Sequence, residues 1–99
     1  MSKKSAHPGE VLRQVYLEPR GMSCNAAARE LRVPVARVTE IVRGRRSVTA
    51  DTALRLARLF LTTPEFWMDL QRDYDLAVAR AALGRDLELV KPSRLPSDP

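Results

Sequence analysis

Arginines crowd one short stretch of the sequence, residues 33–46, which reads VPVARVTEIVRGRR. Arg37 lies inside this stretch, and Arg43, Arg45 and Arg46 lie at its end. A guanidinium group pairs with phosphate oxygens and forms bidentate hydrogen bonds with guanine, so the pattern suits a polyanionic ligand. Two interpretations are open: the arginines form the solvated face of an ordinary packed helix, or they contact DNA.

Other reactive side chains stand alone in the sequence. Cys24 is the only cysteine and His7 the only histidine, and neither belongs to a nucleophile, metal-binding or acid–base constellation. The paired acids Asp73 and Asp75 fall on the charged surface of a predicted helix. We therefore predict that the protein is not an enzyme and has no cofactor or metal site. Cys24 is expected to be a small residue at a helix start, and His7 is also expected to begin a helix.

Composition places limits on the class of protein. The chain has 99 residues, 44% of them apolar and 5% aromatic, which suits one helical domain. Seventeen lysines and arginines against 12 acids give a net charge of +5, as expected for a protein with a polyanionic partner. Neither a secretory signal nor an apolar run of membrane-spanning length is visible, so we expect a cytoplasmic protein that does not bind membranes.

Apolar residues recur with helical spacing and predict an all-α fold of five helices. The first helix follows Pro8, and its inner face is expected to comprise Val11, Leu12, Val15 and Tyr16. The fourth begins at Thr49 or Asp51, and its partly inward residues are expected to be Leu54, Ala57, Leu59 and Leu61. The fifth is long, from Pro64 to Leu83.

The second and third helices are separated by a short turn. Ser23 is a good N-cap for a helix over residues 24–31, and Pro34 is expected to be the first residue of the next helix, which Gly44 ends. The inner face of this third helix is predicted to comprise Val35, Val38, Ile41 and Val42. Helix, tight turn and helix in this order predict a helix-turn-helix motif.

Three segments of the chain, covering roughly residues 7–76, carry a family resemblance. They read HPGEVLRQVYLEPRGMS, VPVARVTEIVRGRRSVTADTALRLARLF and TPEFWMDLQRDYDL. In these segments the sequence resembles the lambda-repressor-like (Xre) helix-turn-helix family, and within it the HigA-type antitoxins. The resemblance implies a five-helix lambda-repressor-like domain that forms homodimers, binds a palindromic operator of its own operon in double-stranded DNA, and neutralises a HigB-type toxin, a RelE-like ribonuclease. The alternatives are a stand-alone repressor without a toxin, and a protein-interaction module without specific DNA binding.

The motif assigns two sets of DNA-binding residues. The residues predicted to face the bases are Val35, Ala36, Arg37, Thr39 and Glu40. Those predicted to contact phosphate are Ser23, Cys24, Asn25, Arg43, Arg45 and Arg46. Cys24 stands where the family usually has a glutamine, and Arg32 stands where the turn often has a glycine. If Arg32 needs a positive φ, it costs on the order of 1 kcal/mol.

The long fifth helix has a wider apolar stripe than a core of this size needs. At this spacing the aromatic residues belong to the core or to a dimer seam, for which we predict Phe66, Trp67, Leu70, Tyr74 and Val78. Residues 1–6 are expected to be a flexible N-terminus, residues 7–83 the DNA-binding and dimerisation domain, and residues 84–99 an extended or disordered tail.

Overall fold

The computed structural model describes residues 5–96, and the regular structure in that range is entirely helical. Helix α1 begins at Pro8–Val11, continues with π-helical winding over Leu12–Leu17 and closes with a 3-10 turn at Glu18–Arg20. The remaining helices are α2 (Cys24–Leu31), α3 (Val35–Val42), α4 (Ala50–Phe60), α5 (Pro64–Leu83) and α6 (Arg85–Leu89). The all-α prediction is confirmed, with one short helix more than the five expected.

The π-helical part of α1 changes which residues face the core. Leu12 and Leu17, five positions apart, are buried, whereas Val15 is 53% exposed. A π-helix closes its hydrogen bonds between residues i and i+5, so residues five apart lie on the same face. The prediction that Val15 faces inward was wrong because it assumed ordinary α-helical winding throughout.

The start of α1 is fastened to two other helices. His7 caps α1 by accepting a hydrogen bond at Nδ1 from the Gly9 N–H (2.9 Å), which confirms its predicted place at a helix start. Its ring packs edge-on against Tyr74 of α5, with 4.9 Å between ring centroids. Gly9 lies so close to α3 that a Cβ atom there would stand 1.7 Å from the Ile41 carbonyl oxygen.

Helix α4 turns a different face inward from the one predicted. Ala53, Leu56 and Phe60 are buried, whereas Leu54 is 59% exposed and Leu61 is 92% exposed. Spacings of three and four residues align the buried set on one side of the helix, and Leu54 falls opposite. Leu61 lies beyond the helix end in the left-handed region (φ 58°). The inward prediction was therefore wrong for both leucines.

Helix α5 joins the core only through its first half. Trp67 is fully buried and donates a hydrogen bond from Nε1 to Thr62 Oγ1 (2.8 Å). Beyond Gln71 the helix extends away from the other helices, and the described residues measure 57 Å along their longest axis. Trp67 therefore belongs to the core of the single chain and has no exposed surface for a dimer seam, contrary to the prediction.

The segment after α5, predicted to be extended or disordered, contains a short helix. Gly84 breaks the helix direction, and α6 follows immediately before the chain becomes irregular. The predicted flexible N-terminus falls mostly on residues 1–4, and the tail ends at residues 97–99, both outside the described residues. Within residues 5–96, no helix is both long and apolar enough to cross a membrane.

Candidate nucleic-acid interface

The turn between α2 and α3 is built around a left-handed residue. Arg32 has φ 60° and ψ 47°, and the next residue, Val33, donates its N–H to the Ala28 carbonyl oxygen (3.0 Å). This is the backbone conformation that glycine adopts most easily, so arginine costs on the order of 1 kcal/mol there. Pro34 remains extended (φ −62°, ψ 145°) and precedes the helix instead of beginning it, a one-residue correction to the prediction.

Helix α3 separates buried and exposed residues sharply. Val38 and Ile41 lie in the core, 2% and 1% exposed, and hold the helix on the domain. The sequence pattern predicted Val35 both on the inner face and among the base-facing residues. Val35 is 43% exposed and so does not belong to the inner face. The outward side has short side chains at Ala36 and Thr39. Such a surface allows close approach to base edges in a major groove.

Arg37 is held at the side of α3 by an acid from the next helix. Its Nη1 donates to Asp51 Oδ1 (2.8 Å), and the same oxygen accepts a hydrogen bond from Arg55 Nε (2.8 Å). Arg55 Nη1 also donates to the carbonyl oxygens of Leu31 (2.9 Å) and Arg32 (3.2 Å) at the end of α2. A continuous set of hydrogen bonds therefore links the turn of the motif to the side chain of Arg37.

The charge of Asp51 is stabilised by this arrangement. The hydrogen bond from Arg55 is the main cause that lowers the pKa of Asp51, and the hydrogen bond from Arg37 acts in the same direction. Asp51 therefore stays ionised at neutral pH. Sequence reasoning missed the roles of Asp51 and Arg55, although their i, i+4 spacing on a predicted helix was a visible signal of an ion pair.

A second ion pair lies at the other end of α3. Arg46 donates from Nε (2.8 Å) and Nη2 (2.6 Å) to Glu40 Oε1. Arg46 also lines a shallow polar cleft with Arg37, and the rest of this cleft is formed by Ser47, Thr49, Asp51 and Thr52. The structure thus brings together Arg37 and Arg46, one from each predicted DNA-binding set.

The loop after α3 is fixed from inside the protein. Val48 is 2% exposed and donates its N–H to Gln71 Oε1 (2.7 Å), while Gln71 Nε2 donates to Asp75 Oδ1 (2.9 Å). Arg45 precedes this anchor and is exposed. Gln71 is a further residue that sequence reasoning missed, because nothing in the local pattern links it to a position 23 residues earlier.

The start of α2 is the other place where phosphate contacts are predicted. The Ser23 hydroxyl oxygen accepts a hydrogen bond from the Ala26 N–H (3.0 Å) and so caps the start of α2. Ser23 and Asn25 are both exposed. Cys24 is partly buried against the core. The exposed start of α2 retains the partial positive charge of a helix N-terminus.

Comparisons with known proteins identify the family. A helix-turn-helix family model matches residues 12–67. The structure of an addiction-module antidote protein of the HigA family from Coxiella burnetii is 47% identical, with a TM-score of 0.86, over 92% of this chain and 100% of that chain. The chain belongs to the HigA family of helix-turn-helix proteins.

Other similar structures and sequences agree with this assignment. Pseudomonas aeruginosa antitoxin HigA, solved with the higBA promoter, is 44% identical with a TM-score of 0.86, over 92% of this chain and 99% of that one. Antitoxin HigA-1 of Vibrio cholerae is 34% identical over 84 residues, 85% of this chain and 79% of that protein. Virulence-associated protein I of Dichelobacter nodosus is 51% identical over 73 residues, 74% of this chain and 68% of that protein. Two of these proteins are antitoxins by name, and the P. aeruginosa structure includes promoter DNA.

Proposed function

We propose that this HigA-family chain is the antitoxin of a type II toxin–antitoxin module. As a homodimer in the cytoplasm, it binds a palindromic operator in its own promoter and represses transcription. It also binds and neutralises a HigB-type, RelE-like ribonuclease toxin. The observation that carries the proposal is the outward face of α3, which combines short side chains with flanking arginines in a fold similar to that of P. aeruginosa HigA, solved with promoter DNA.

The base-contacting part of the proposal rests on α3. Val35, Ala36 and Thr39 offer apolar atoms that can contact thymine methyl groups, and Glu40 can accept a hydrogen bond from cytosine N4. Arg37 keeps Nε and Nη2 free of hydrogen bonds within the described residues, because only Nη1 pairs with Asp51. Those two donors form one edge of the guanidinium group and match guanine O6 and N7.

The phosphate-contacting part rests on both ends of the motif. Arg43 and Arg45 are exposed and make no ion pair in the part of the chain that the structure describes. They follow α3 directly, and in this proposal they bind phosphates beside the groove. The start of α2 at Ser23 and Asn25 supplies backbone N–H groups and side-chain donors for a phosphate on the other side.

The homodimer is proposed from α5. The second half of this helix leaves an apolar groove lined by Ser5, Tyr74, Ala77, Val78 and Ala81. Of the other predicted seam residues, Phe66 is 36% exposed and Leu70 is partly buried against the core, whereas Trp67 is excluded by its burial. Two copies paired about a two-fold axis would present two α3 helices to half-sites about 34 Å apart. A monomer in light scattering at micromolar concentration would contradict the dimer.

The DNA-binding proposal is tested by fluorescence anisotropy. Affinity for the DNA upstream of the gene is compared with affinity for a scrambled duplex at two salt concentrations. We expect a preference of roughly a thousandfold for the upstream DNA. The double variant Arg37→Ala, Thr39→Ala should lose that preference. The control Arg80→Ala removes one exposed positive charge from the second half of α5 and should retain it.

Two outcomes would overturn parts of the proposal. Weak binding that is equal on both duplexes would leave a protein-interaction module. Specific DNA binding in an operon without a toxin gene would leave a stand-alone repressor. The toxin arm is therefore tested by co-expressing the neighbouring small reading frame with and without this chain. Growth arrest that this chain relieves, with co-purification of the two proteins, is the expected result.

A further inference from the structure

Asp51 occupies a position that charge alone would disfavour in a DNA-binding protein. It is exposed and lies in the first turn of α4, beside Arg37 of the recognition helix. A carboxylate there repels the phosphate backbone of any duplex that α3 approaches. Its ion pairs with Arg37 and Arg55 are themselves exposed, with side-chain exposures between 28% and 57%, and such pairs contribute little to folding.

The hydrogen bond to Asp51 restricts the side chain of Arg37. A free arginine side chain samples many rotamers, and binding to a base fixes one of them at an entropic cost. The Asp51 carboxylate holds Nη1 of Arg37 at 2.8 Å and leaves the Nε–Nη2 edge free. Asp51 is itself held by Arg55, whose Nη1 is bonded to the carbonyl oxygens at the end of α2. The guanidinium group of Arg37 is therefore oriented by the turn of the motif.

We propose that Asp51 is a positioning residue for sequence recognition, which acts by orienting Arg37 toward a guanine in the operator. Arg55 connects this pair to the helix-turn-helix turn. The inference rests on the proposed function, since it requires an operator that the chain distinguishes from other DNA. Asp51 makes no contact with DNA in this proposal, so its effect on the preference for the operator passes entirely through Arg37.

Because of this role, Asp51→Ala should change the affinities for scrambled DNA and for the operator unequally. Asp51→Ala removes a negative charge near the phosphates, so affinity for scrambled DNA should rise. The same variant frees Arg37, so affinity for the operator should rise less or fall. The ratio of the two affinities should drop roughly five- to a hundredfold, the range for one bidentate base contact. Asp69→Ala is the matched control, because Asp69 has a similar exposure (58%) and pairs with Arg72 on α5.

A double-mutant cycle separates positioning from a general electrostatic effect. In an Arg37→Ala background, Asp51→Ala should raise affinity for all DNA equally and leave the ratio unchanged, since no arginine remains to be oriented. Operator duplexes with single 7-deazaguanine substitutions, which lack the N7 acceptor, add a second measurement. The wild type should lose affinity at one guanine in each half-site, and Asp51→Ala should be insensitive to that substitution.

The outcomes distinguish this inference from the proposed function. If the wild type prefers its operator and Asp51→Ala leaves the ratio unchanged, positioning by Asp51 is refuted while the DNA-binding proposal stands. If Asp51→Ala increases operator affinity more than scrambled-DNA affinity, Asp51 sequesters Arg37 and does not orient it. If the wild type shows no preference, both proposals fail. Circular dichroism melting of each variant verifies that the folded protein is being compared.

Discussion

Substitution of Gly9 tests whether the close crossing of α1 and α3 sets the position of the recognition helix. In Gly9→Ala, the new Cβ would stand 1.7 Å from the Ile41 carbonyl oxygen and 2.6 Å from the Ile41 carbonyl carbon. Real Cβ atoms do not approach other heavy atoms closer than 3.0 Å, so the two helices would have to separate by more than about 1 Å. Both partners are backbone atoms, so a rotamer change cannot relieve the contact.

The expected cost is about 3 kcal/mol of unfolding free energy, at the upper end for overpacking in a core. The better helix propensity of alanine offsets less than about 1 kcal/mol of this. Gly21→Ala is the matched control: Gly21 also has a special backbone (φ +60°), but its Cβ would meet nothing within 4 Å. That variant should lose only about 1 kcal/mol, through backbone strain.

Urea denaturation of both variants at one protein concentration measures the two costs. Because α3 moves with its partner, Gly9→Ala should also weaken operator binding although no DNA-contacting side chain changes. A stability loss in Gly9→Ala equal to or smaller than that in Gly21→Ala would refute the steric argument. Unchanged operator affinity in a destabilised Gly9→Ala would refute the link between this crossing and recognition.

Two further predictions concern His7 and Leu61. Burial lowers the pKa of His7 from its usual 6.5, opposed by the charge of Asp75, so the unfolded chain binds the proton at a higher pH than the folded one. The free energy of unfolding should therefore fall as the pH drops below about 6.5. In His7→Asn, which keeps a capping acceptor, the free energy of unfolding from denaturant titrations should depend less on pH. An equal pH dependence in the wild type and the variant would contradict this. Leu61 has a left-handed backbone and a side chain that is 92% exposed, so Leu61→Gly should stabilise the fold by about 1 kcal/mol. Leu54→Gly, within α4, should destabilise the fold by a similar amount. Loss of stability in both variants would contradict this reasoning.

Features that depend on local sequence were predictable. The hydroxyl of Ser23 caps the start of α2. The proline after Thr63 begins α5, and Gly84 ends it. Each of these residues acts on the adjacent helix end, so the bounds of α2 and α5 follow from the sequence. A positive φ at Arg32 was considered only as a condition, because the family often has glycine at this position, and the structure has it (φ 60°). The inner face of α1 was not, since π-helical winding has no sequence signature of its own.

Features that depend on distant residues were not predictable from the pattern. The hydrogen bond from Arg55 to Leu31 joins residues 24 apart, and the one from Val48 to Gln71 joins residues 23 apart. Arg55 lies on α4 and Gln71 on α5, and neither belongs to the apolar residues predicted for its helix. Their partners are backbone groups, which a residue pattern does not reveal. The predicted DNA-binding arginines were identified as charged groups, but their ion pairs with Glu40 and Asp51 were not.

Those two ion pairs bear on how specificity arises. Under the proposed function, Arg46 would have to exchange the Glu40 carboxylate for a phosphate, because its Nε and Nη2 are both bonded to Glu40. Arg37 would keep its bond to Asp51 and contact DNA through its free Nε–Nη2 edge. On a duplex that offers only phosphates, the exchange replaces one ion pair by another, and the carboxylates repel the backbone. On the operator, base edges add hydrogen bonds that no intramolecular partner supplies. Under the proposed function, acids beside the arginines should therefore weaken binding to unrelated DNA more than binding to the operator, and part of the specificity would come from repulsion.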